Sequence, residues 1–426
     1  MATSKVFSLE GKGLKLTTAE DIEPHIQPLK DNADVEEVIF VGNTLGVEAS
    51  EALAKVLETK KNLKVANFAD IFTSRLLSEI PQALSSILTA LLNIPNLHTI
   101  NLSDNAFGLN TQAPLVAFIS AHVPLQHLIL NNNGLGPAAG VLVADALSTL
   151  ADKKAEARQA DASATIPDLE TVICGRNRLE NGSMEAWAKA YSKHDKIRLI
   201  KMVQNGIRQE GITHLLKHGL RTAEQLRVLD LQDNTFTAMG ARALADVVGG
   251  WAYLRELGVG DCLLSKKGGV LLGKALARGG NKELEILRLQ YNEIDAKGLE
   301  SLANATVDAL PKLRRFEING NRFSEDDESI EKLREAFDER KEAADPEFVD
   351  ALPENEEWGL DELDELDDES DEEEGEDEDE DEEGVDADDQ AERVVKRAEE
   401  AEQAAVAQEK DKSVDALADM LDKTAL

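Results

Sequence analysis

Short segments of alternating apolar residues, each followed by a polar turn and an amphipathic stretch, recur along most of the chain. The shared pattern is apolar-x-apolar-x-x-Asn-x-apolar, as in HLILNNNGLG (127–136) and VLDLQDNTFT (228–237). Alternation with a period of two predicts a short strand. The apolar spacing that follows, as in MGARALADVVGGW (239–251), predicts a helix. Each unit therefore contributes one strand, one tight turn and one helix.

The asparagine of this pattern recurs mostly every 28 to 30 residues, which is the period of long leucine-rich repeats. Two longer steps hold a degenerate copy near 64–75 and an insertion at 151–165. We expect each asparagine to be buried and to hydrogen-bond backbone groups of the adjacent turn. These predicted ladder residues are Asn43, Asn105, Asn133, Asn177, Asn205, Asn234, Asn292 and Asn321, with Cys262 in the equivalent position of one repeat.

One such unit cannot bury its own apolar face, so the units are expected to stack. The sequence predicts an α/β leucine-rich-repeat solenoid over residues 1–345, ribonuclease-inhibitor-like, with about eleven repeats, a curved parallel sheet inside and helices outside. Residues 346–389 are predicted to form a disordered acidic tail, because 25 acidic and no basic residues lie between Glu354 and Asp389. Residues 390–426 are helix-prone and favour an amphipathic helix.

Charge and composition narrow the classes of function. The formal net charge is −37, and its concentration in one block favours a basic protein partner over nucleic acid. No apolar run approaches the roughly 20 residues of a membrane span. The two cysteines, Cys174 and Cys262, are too few for a disulfide framework and are expected to be buried thiols of a reducing compartment.

Two motifs resemble known sites but lack an essential residue. GGVLLGKA (268–275) approaches a phosphate-binding loop, yet Ala275 stands where the magnesium-binding Ser or Thr is needed. His214 and His218 have the spacing of a zinc helix, but Leu215 replaces the glutamate and no third ligand follows. We therefore predict no cofactor, no metal and no active site belonging to this chain.

The residues immediately before each ladder asparagine vary between repeats and are expected to face outward along the strand-to-helix edge. Three asparagines follow one another at 131–133. A ladder role cannot explain the first two, Asn131 and Asn132. An Asx-turn that stabilises the loop is the alternative to a functional role.

Several segments carry a more specific resemblance. GNTLGVEA, FADIFTSRLLSEIPQAL, LHTINLSDNAFG, NNGLGP, ICGRNRLENGSMEAWAKA, KMVQNGIRQEGI and LRVLDLQDNTFT lie mostly outside the repeat consensus. Together they closely resemble the GTPase-activating proteins of the small GTPase Ran, over roughly residues 8–345 and on into the acidic tail. The sequence is similar to the short, soluble form of that family.

The resemblance implies a mechanism in which Ran holds GTP and magnesium and hydrolyses slowly because its glutamine is poorly positioned. Asn132 matches the family asparagine that orients this glutamine. Arg75 matches the family arginine, which supports binding and geometry and is not an arginine finger of the usual kind. An Asx-turn for Asn132 and a surface position for Arg75 are the alternatives.

The partner implied by the resemblance is Ran·GTP, with a Ran-binding protein in a ternary complex. We expect a cytoplasmic or perinuclear monomer that supports nucleocytoplasmic transport without being an enzyme. A scaffold or inhibitor without catalytic effect, and a chaperone of basic proteins acting through the tail, remain alternatives. The expected docking edge consists of Asp70, Asp104, Arg176, Gln204, Asp233, Asp261 and Tyr291.

Overall fold

The computed structural model of the protein describes residues 4–109, 111–161, 163, 165–353 and 357–367. The predicted helix at 390–426 and most of the acidic tail lie outside the described residues. The strands are β1 (Val6–Ser8), β2 (Lys15–Leu16), β3 (Glu37–Ile39), β4 (Thr44–Leu45), β5 (Val65–Asn67), β6 (Thr99–Asn101), β7 (His127–Ile129), β8 (Thr171–Ile173), β9 (Leu199–Lys201), β10 (Val228–Asp230), β11 (Glu256–Gly258), β12 (Ile286–Arg288), β13 (Arg315–Glu317) and β14 (Gly359–Leu360).

A helix follows nearly every strand of the array. Short 3-10 turns at Asn181–Ser183 and Val248–Gly250 and a π-helical turn at Leu215–Leu220 extend three of the helical segments. The helices are α1 (Ala19–Asp31), α2 (Val47–Leu57), α3 (Ile80–Leu92), α4 (Gln112–Ala121), α5 (Gly136–Ala160), α6 (Met184–Lys193), α7 (Gln209–His214), α8 (Thr237–Val247), α9 (Ser265–Leu276), α10 (Ala296–Ala309), α11 (Glu328–Ala343) and α12 (Pro346–Asp350).

Within the described residues, twelve strands form one sheet in the order β1-β3-β5-β6-β7-β8-β9-β10-β11-β12-β13-β14, and β2 pairs with β4 beside it. The pairing is parallel throughout, and each strand pairs with that of the next repeat. Parallel strands lie about 4.8 Å apart, whereas packed helices need about 8–10 Å. The array must therefore curve with its sheet on the inner side, and the predicted solenoid is confirmed.

The core is a continuous column of aliphatic side chains between the sheet and the helices. The alternating pair Leu128 and Leu130 is fully buried, as are the equivalent residues of the other repeats. Aromatic residues fill the wider gaps, including Trp187 and Trp251 in the middle and a stacked pair, Phe40 and Phe68, near the N-terminus. Each repeat packs on its neighbours, and these contacts join the buried side chains of the repeats into one continuous core.

The predicted insertion at 151–165 does not form a loop along its whole length, because its first part lengthens α5 to 25 residues. Lys154 on this extension is buried, and its Nζ donates to the carbonyls of Val123 at 2.5 Å and Pro167 at 2.7 Å. Burial lowers the pKa of Lys154 to about 8. The guanidinium of Arg158 contacts the carbonyl of Ile166 at 3.0 Å. The extension therefore ties the long helix to the segment that enters β8.

The start of the predicted disordered tail is ordered, which corrects the boundary set at residue 346. Residues 346–350 form α12, and β14 adds a strand to β13. The stretch 357–367, called here the C-terminal strap, carries four partly buried apolar residues that pack against the core: Trp358, Leu360, Leu363 and Leu366. The carboxylate of Asp361 accepts from the backbone N–H of Ile318 at 2.8 Å and Asn319 at 3.0 Å. Apolar contacts at every second or third residue thus outweigh the acidic composition.

A second row of polar side chains, at or near the ends of helices, bonds backbone carbonyls of the preceding repeat, and sequence reasoning missed it. The ring of His194, just after α6, contacts the carbonyl of Leu147 at 2.9 Å, and the indole of Trp251 donates to the carbonyl of Leu220 at 2.9 Å. Leu220 ends its helical segment, so the indole satisfies a carbonyl that a helix end leaves unpaired. Leu147 lies within α5, and its carbonyl receives the ring of His194 as an additional contact. Side chains with the same role are Lys60, His122, Asn281 and Arg340.

Burial of His194 predicts a loss of stability in acid. Burial lowers the pKa of His194 to about 4, whereas an unfolded histidine titrates near 6.5. The fold favours the neutral ring, so this contribution is complete above pH 6.5 and is lost as the pH falls toward 4. Between pH 7.5 and pH 4.5, the free energy of unfolding should fall by about 2–3 kcal/mol from this group.

The variant His194→Gln isolates this effect, because glutamine can still donate to the carbonyl of Leu147 and does not titrate. The difference in the free energy of unfolding between the two proteins, measured by urea denaturation, should shrink or reverse in acid. A difference that is constant from pH 7.5 to pH 4.5 would show that His194 is not buried as a neutral ring.

Candidate functional site

The ladder asparagines hold the turn of one repeat against the next. Asn133 accepts from the backbone N–H of Asn105 at 2.9 Å and donates to the carbonyls of Leu102 and Leu130 at 3.1 Å each. Asn177 in turn accepts from the N–H of Asn133 at 2.9 Å. The eight predicted ladder residues are at most 5% exposed. The amides from Asn105 to Asn234 therefore make a chain of buried hydrogen bonds beneath the edge of the sheet, and Asn292 and Asn321 make a second, shorter one.

Cys262 replaces a ladder asparagine in one repeat. Its N–H still donates to Asn292 at 3.1 Å, and its Sγ lies 3.3 Å from the carbonyl of Gly260. Burial raises the pKa of this thiol to about 12. Cys174 is also buried, and burial raises its pKa to about 12 as well. Both thiols are therefore held in the protonated form at neutral pH.

Every residue of the predicted docking edge shares one backbone conformation. All lie in the left-handed region, with φ between 49° and 61°. Their backbone N–H groups donate to the following repeat; that of Asn132 reaches the carbonyl of Gly175 at 2.9 Å. The strand-to-helix turn thus fixes each of these side chains at one edge, one per repeat. The residues are Asp70, Asp104, Asn132, Arg176, Gln204, Asp233, Asp261 and Tyr291.

This conformation has a cost that depends on residue type. Asn and Asp tolerate positive φ, and the equivalent positions in two other repeats are Gly42 and Gly320. Arg176, Gln204 and Tyr291 are poorly suited to it, and strain of this kind of about 1–3 kcal/mol persists mostly at functional sites. The preference of the left-handed turn for Gly, Asn and Asp therefore does not by itself explain which residues occupy these positions.

Replacing Gln204 by glycine is expected to stabilise the fold. Gln204 is exposed, has φ 54°, and its side chain makes no hydrogen bond within the described residues. Relief of the left-handed strain, less the greater unfolded-state entropy of glycine, should raise the free energy of unfolding by about 0.5–1 kcal/mol. Urea denaturation measures this change.

The control is Gln82→Gly, at an exposed glutamine in the first turn of α3 whose side chain donates to the carbonyl of Ser78 at 3.2 Å. A glycine there should lower the free energy of unfolding by about 1 kcal/mol, because helical φ needs no glycine. If the two substitutions destabilised the chain equally, the left-handed turn at Gln204 would be refuted.

The three successive asparagines have three different roles in the structure. The side chain of Asn131 accepts from the N–H of Gly175 at 2.7 Å and helps to hold the turn. Asn132 is exposed, and its amide nitrogen donates to Asp104 Oδ1 at 2.8 Å. Asn133 is fully buried in the ladder. Of the three, only Asn132 is exposed to solvent.

Arg75 lies in the degenerate repeat and points back toward the N-terminal repeats. Its guanidinium donates to the hydroxyl of Thr17 at 3.1 Å and to the carbonyl and hydroxyl of Thr44 at 2.9 and 3.0 Å. The side chain is half-buried, and the nearby Leu76 and Leu77 are 67% and 62% exposed. The resemblance implied support of geometry, and these contacts brace the loop that carries the exposed leucines.

The remaining edge residues differ in their surroundings. Gln204, Asp233 and Asp261 line a surface depression of about 320 Å³ together with Leu263, which is 45% exposed. The hydroxyl of Tyr291 donates a hydrogen bond to Glu365 of the C-terminal strap. This part of the edge is therefore in contact with an acidic segment of the same chain.

Charged residues on the inner face of the sheet form a row that the sequence analysis did not single out. Arg288 contacts Glu256 at 2.6 Å and Glu317 at 3.3 Å, and Lys201 contacts Glu256 at 3.3 Å. The signal was present, because all four residues stand at the first or third position of their strands. The charged side chains of this row therefore form salt bridges with one another.

Among the described residues, no group of three or more His, Cys, Asp or Glu side chains is arranged to hold a metal ion. The near-match to a phosphate-binding loop lies within α9, not at a strand-to-helix turn. No helix in the described part of the chain has the length and apolar character needed to cross a membrane.

Comparison with known proteins supports the same family as the sequence resemblance. A profile described as Leucine Rich repeat matches residues 225–245 and 280–303. Ran GTPase-activating protein 1 of Saccharomyces cerevisiae (strain ATCC 204508 / S288c) is 41% identical over 343 residues, which cover 79% of this chain and 83% of the relative. The Ran GTPase-activating protein of Drosophila melanogaster is 34% identical over 323 residues, 75% of this chain and 53% of the relative.

A relative from Xenopus laevis, Ran GTPase-activating protein 1, is 39% identical over 204 residues, which cover 47% of this chain and 34% of the relative. The animal relatives are thus considerably longer than the part that the chain matches. The yeast relative is matched over most of its length, at an identity at which a shared fold and family are secure. The chain therefore belongs to the Ran GTPase-activating protein family.

Proposed function

We propose that this chain accelerates GTP hydrolysis by the small GTPase Ran and thereby supports nucleocytoplasmic transport. The observation that carries the proposal is the 41% identity to the yeast activator over 343 residues. The chain's own contribution is a rigid edge of positioned side chains, because each edge residue is fixed by its left-handed turn and by the ladder beneath it. GTP and magnesium belong to the partner.

Asn132 is the residue proposed to act on the partner's catalytic machinery. Its exposed amide is held in one place by the backbone hydrogen bond to Gly175 and by the side-chain bond to Asp104. A fixed amide can accept a hydrogen bond from the side chain of Ran's glutamine and so hold that glutamine where it directs the attacking water. Positioning of this kind lowers the barrier because the ordering is completed before the reaction.

Arg75 is proposed to support this geometry and not to enter the site as a finger. Its contacts with Thr17 and Thr44 are already made in the chain alone, and they would have to break before the guanidinium could reach a phosphate. The braced loop instead offers Leu76 and Leu77 as apolar contacts for Ran.

Two carboxylates of the docking edge are proposed to recognise basic surface on Ran. Asp233 and Asp261 supply carboxylates to a depression large enough for a lysine or arginine side chain. We further propose that the chain acts as a monomer in the cytoplasm or at the nuclear rim, and that a Ran-binding protein joins the complex on another face of Ran.

The test is single-turnover hydrolysis of GTP preloaded on Ran, with and without the chain. The expected result is an acceleration of about 10³–10⁵ for Ran and none for Ras, which serves as the control GTPase. Binding to Ran·GTP with no change in the hydrolysis rate would instead identify a scaffold or inhibitor.

Removing residues 370–426 is expected to slow association with Ran mainly at low salt. This deletion leaves the C-terminal strap in place, so the solenoid remains capped while most of the acidic block is lost. Because the deletion removes electrostatic steering, the association rate should fall by about ten-fold at low ionic strength. At salt concentrations that screen the charges, the rate should change little. Stopped-flow binding measures the rate.

A chain whose tail is replaced by an uncharged Gly/Ser segment of equal length is the control for excluded volume. It should behave like the deletion. If the loss were equal at all ionic strengths, steering by the tail would be wrong.

A further inference from the structure

The hydrogen bond between Asp104 and Asn132 joins neighbouring repeats at the surface. Both residues are exposed and both are held with positive φ, at 61° and 52°. Their backbone N–H groups donate to the next repeat, Asp104 to the carbonyl of Asn131 and Asn132 to that of Gly175, each at 2.9 Å. The Cα positions of the pair are therefore fixed before any partner arrives, and only the side chains can rotate.

The partner atom defines the orientation of the Asn132 amide. A carboxylate carries no proton and can only accept, so the group facing Asp104 Oδ1 at 2.8 Å must be the amide nitrogen. Asn132 Oδ1 then faces away from Asp104, and no donor reaches it among the described residues. A flipped amide would place oxygen against oxygen, which is repulsive. The carboxylate therefore selects one of two orientations that would otherwise be close in energy.

The pair has no counterpart along the rest of the docking edge. In the part of the chain that the structure describes, no other side-chain hydrogen bond joins two edge residues. Asp70 contacts Thr73 within its own turn, and Tyr291 contacts Glu365 of the C-terminal strap. The single carboxylate–amide pair thus coincides with the position proposed to act on Ran.

We infer that Asp104 is a positioning residue for activation, which holds the Asn132 amide with its oxygen turned toward the partner. This inference rests on the proposed function. The outward oxygen accepts from the amide N–H of the partner's glutamine, which leaves the glutamine oxygen free to accept from the attacking water. Asp104 therefore acts through Asn132 and makes no essential contact with Ran, unlike the direct docking contact that the sequence alone predicted.

The test compares Asp104→Gly with Asp104→Asn in single-turnover hydrolysis, with the chain varied over a wide concentration range. Glycine fits the left-handed turn and removes the acceptor, so the maximal rate should fall by about ten-fold or more at an unchanged half-saturating concentration. Asparagine keeps one oxygen but can also donate, so it enforces the orientation only in part and should give an intermediate rate. Unchanged thermal midpoints for both variants exclude loss of the fold.

Two further arms separate positioning from contact. Combined with Asn132→Gly, the Asp104→Gly substitution should cause no additional loss of maximal rate, because its effect passes through Asn132. Asp233→Gly, which removes a docking carboxylate at the same repeat position, should raise the half-saturating concentration and leave the maximal rate nearly unchanged.

The outcomes that overturn the inference are distinct from failure of the proposed function. A higher half-saturating concentration with a normal maximal rate for Asp104→Gly would make Asp104 a partner contact, and independent, multiplying effects of the two substitutions would also refute positioning. If the unmodified chain did not accelerate hydrolysis by Ran, the proposed function would fall, and this inference with it.

Discussion

Replacing Asn132 by alanine is expected to lower the maximal rate of activated GTP hydrolysis on Ran by about 10²–10³, a size typical of losing one preorganised hydrogen-bonding group at a reaction centre. The substitution removes the amide that would hold Ran's glutamine but leaves the ladder beneath untouched, because Asn133 and not Asn132 is buried there. Single-turnover hydrolysis at saturating chain measures the loss.

Three controls make this result interpretable. Asn132→Gly should lose as much activity as alanine, which excludes strain in the left-handed turn as the cause. Asn62→Ala, at an exposed asparagine in the helix-to-strand turn before β5, should keep full activity. Ran·GTP binding by both Asn132 variants should stay within a few-fold of the unmodified chain. Near-normal activation by the Asn132 variants would show that the site has been assigned wrongly.

Replacing Asn177 by alanine is expected to have the largest effect on stability, about 3–5 kcal/mol. Asn177 accepts from the N–H of Asn133 and donates to the carbonyls of Leu130 and Gly175. Alanine would leave the buried N–H of Asn133 without an acceptor, which costs about 1–3 kcal/mol. The carbonyls of Leu130 and Gly175 would keep one donor each, from Asn133 and Asn132, and lose the second, at about 0.5–1.5 kcal/mol per bond. Urea denaturation followed by circular dichroism measures the change.

The matched control is Asn96→Ala, which also removes a side-chain bond to a backbone carbonyl but at an exposed position. It should change the free energy of unfolding by no more than about 0.5 kcal/mol. Equal losses in the two variants would mean that the ladder does not hold the repeats together.

The repeat architecture could be predicted because its determinants are local and repeated. An alternating apolar pair, a turn with asparagine and an apolar helix face recur with nearly constant spacing, so chance agreement is small. The same periodicity located the outward-facing positions, and the structure adds the reason for their fixed direction. Each lies in a left-handed turn whose N–H is bonded to the next repeat.

What the sequence could not provide depends on contacts between distant residues. The C-terminal strap was hidden because acidic residues surround Trp358, Leu360 and Leu363, and composition alone favoured disorder. The contacts of Arg75 with Thr17 and Thr44 join residues 58 and 31 positions apart in the sequence, and no local pattern predicts them. The polar residues near the helix ends that bond the preceding repeat differ in chemical type, so they form no recognisable consensus.

The roles of the site residues came from family resemblance, since periodicity places Asn132 at an edge but assigns it no task. In the structure, the hydrogen bond to Asp104 fixes the direction of the Asn132 amide. The guanidinium of Arg75 is already bonded to Thr44. A mechanism that uses the edge asparagine and leaves the arginine in place requires the smallest rearrangement of the chain.

The most direct measurement is a crystal structure of this chain with Ran bound to a non-hydrolysable GTP analogue. The account predicts Asn132 Oδ1 within about 3 Å of the side-chain amide nitrogen of Ran's catalytic glutamine, with the Asp104 bond intact and Arg75 still on Thr44. An Asn132 amide remote from that glutamine, or an arginine of this chain in contact with the γ-phosphate, would contradict it.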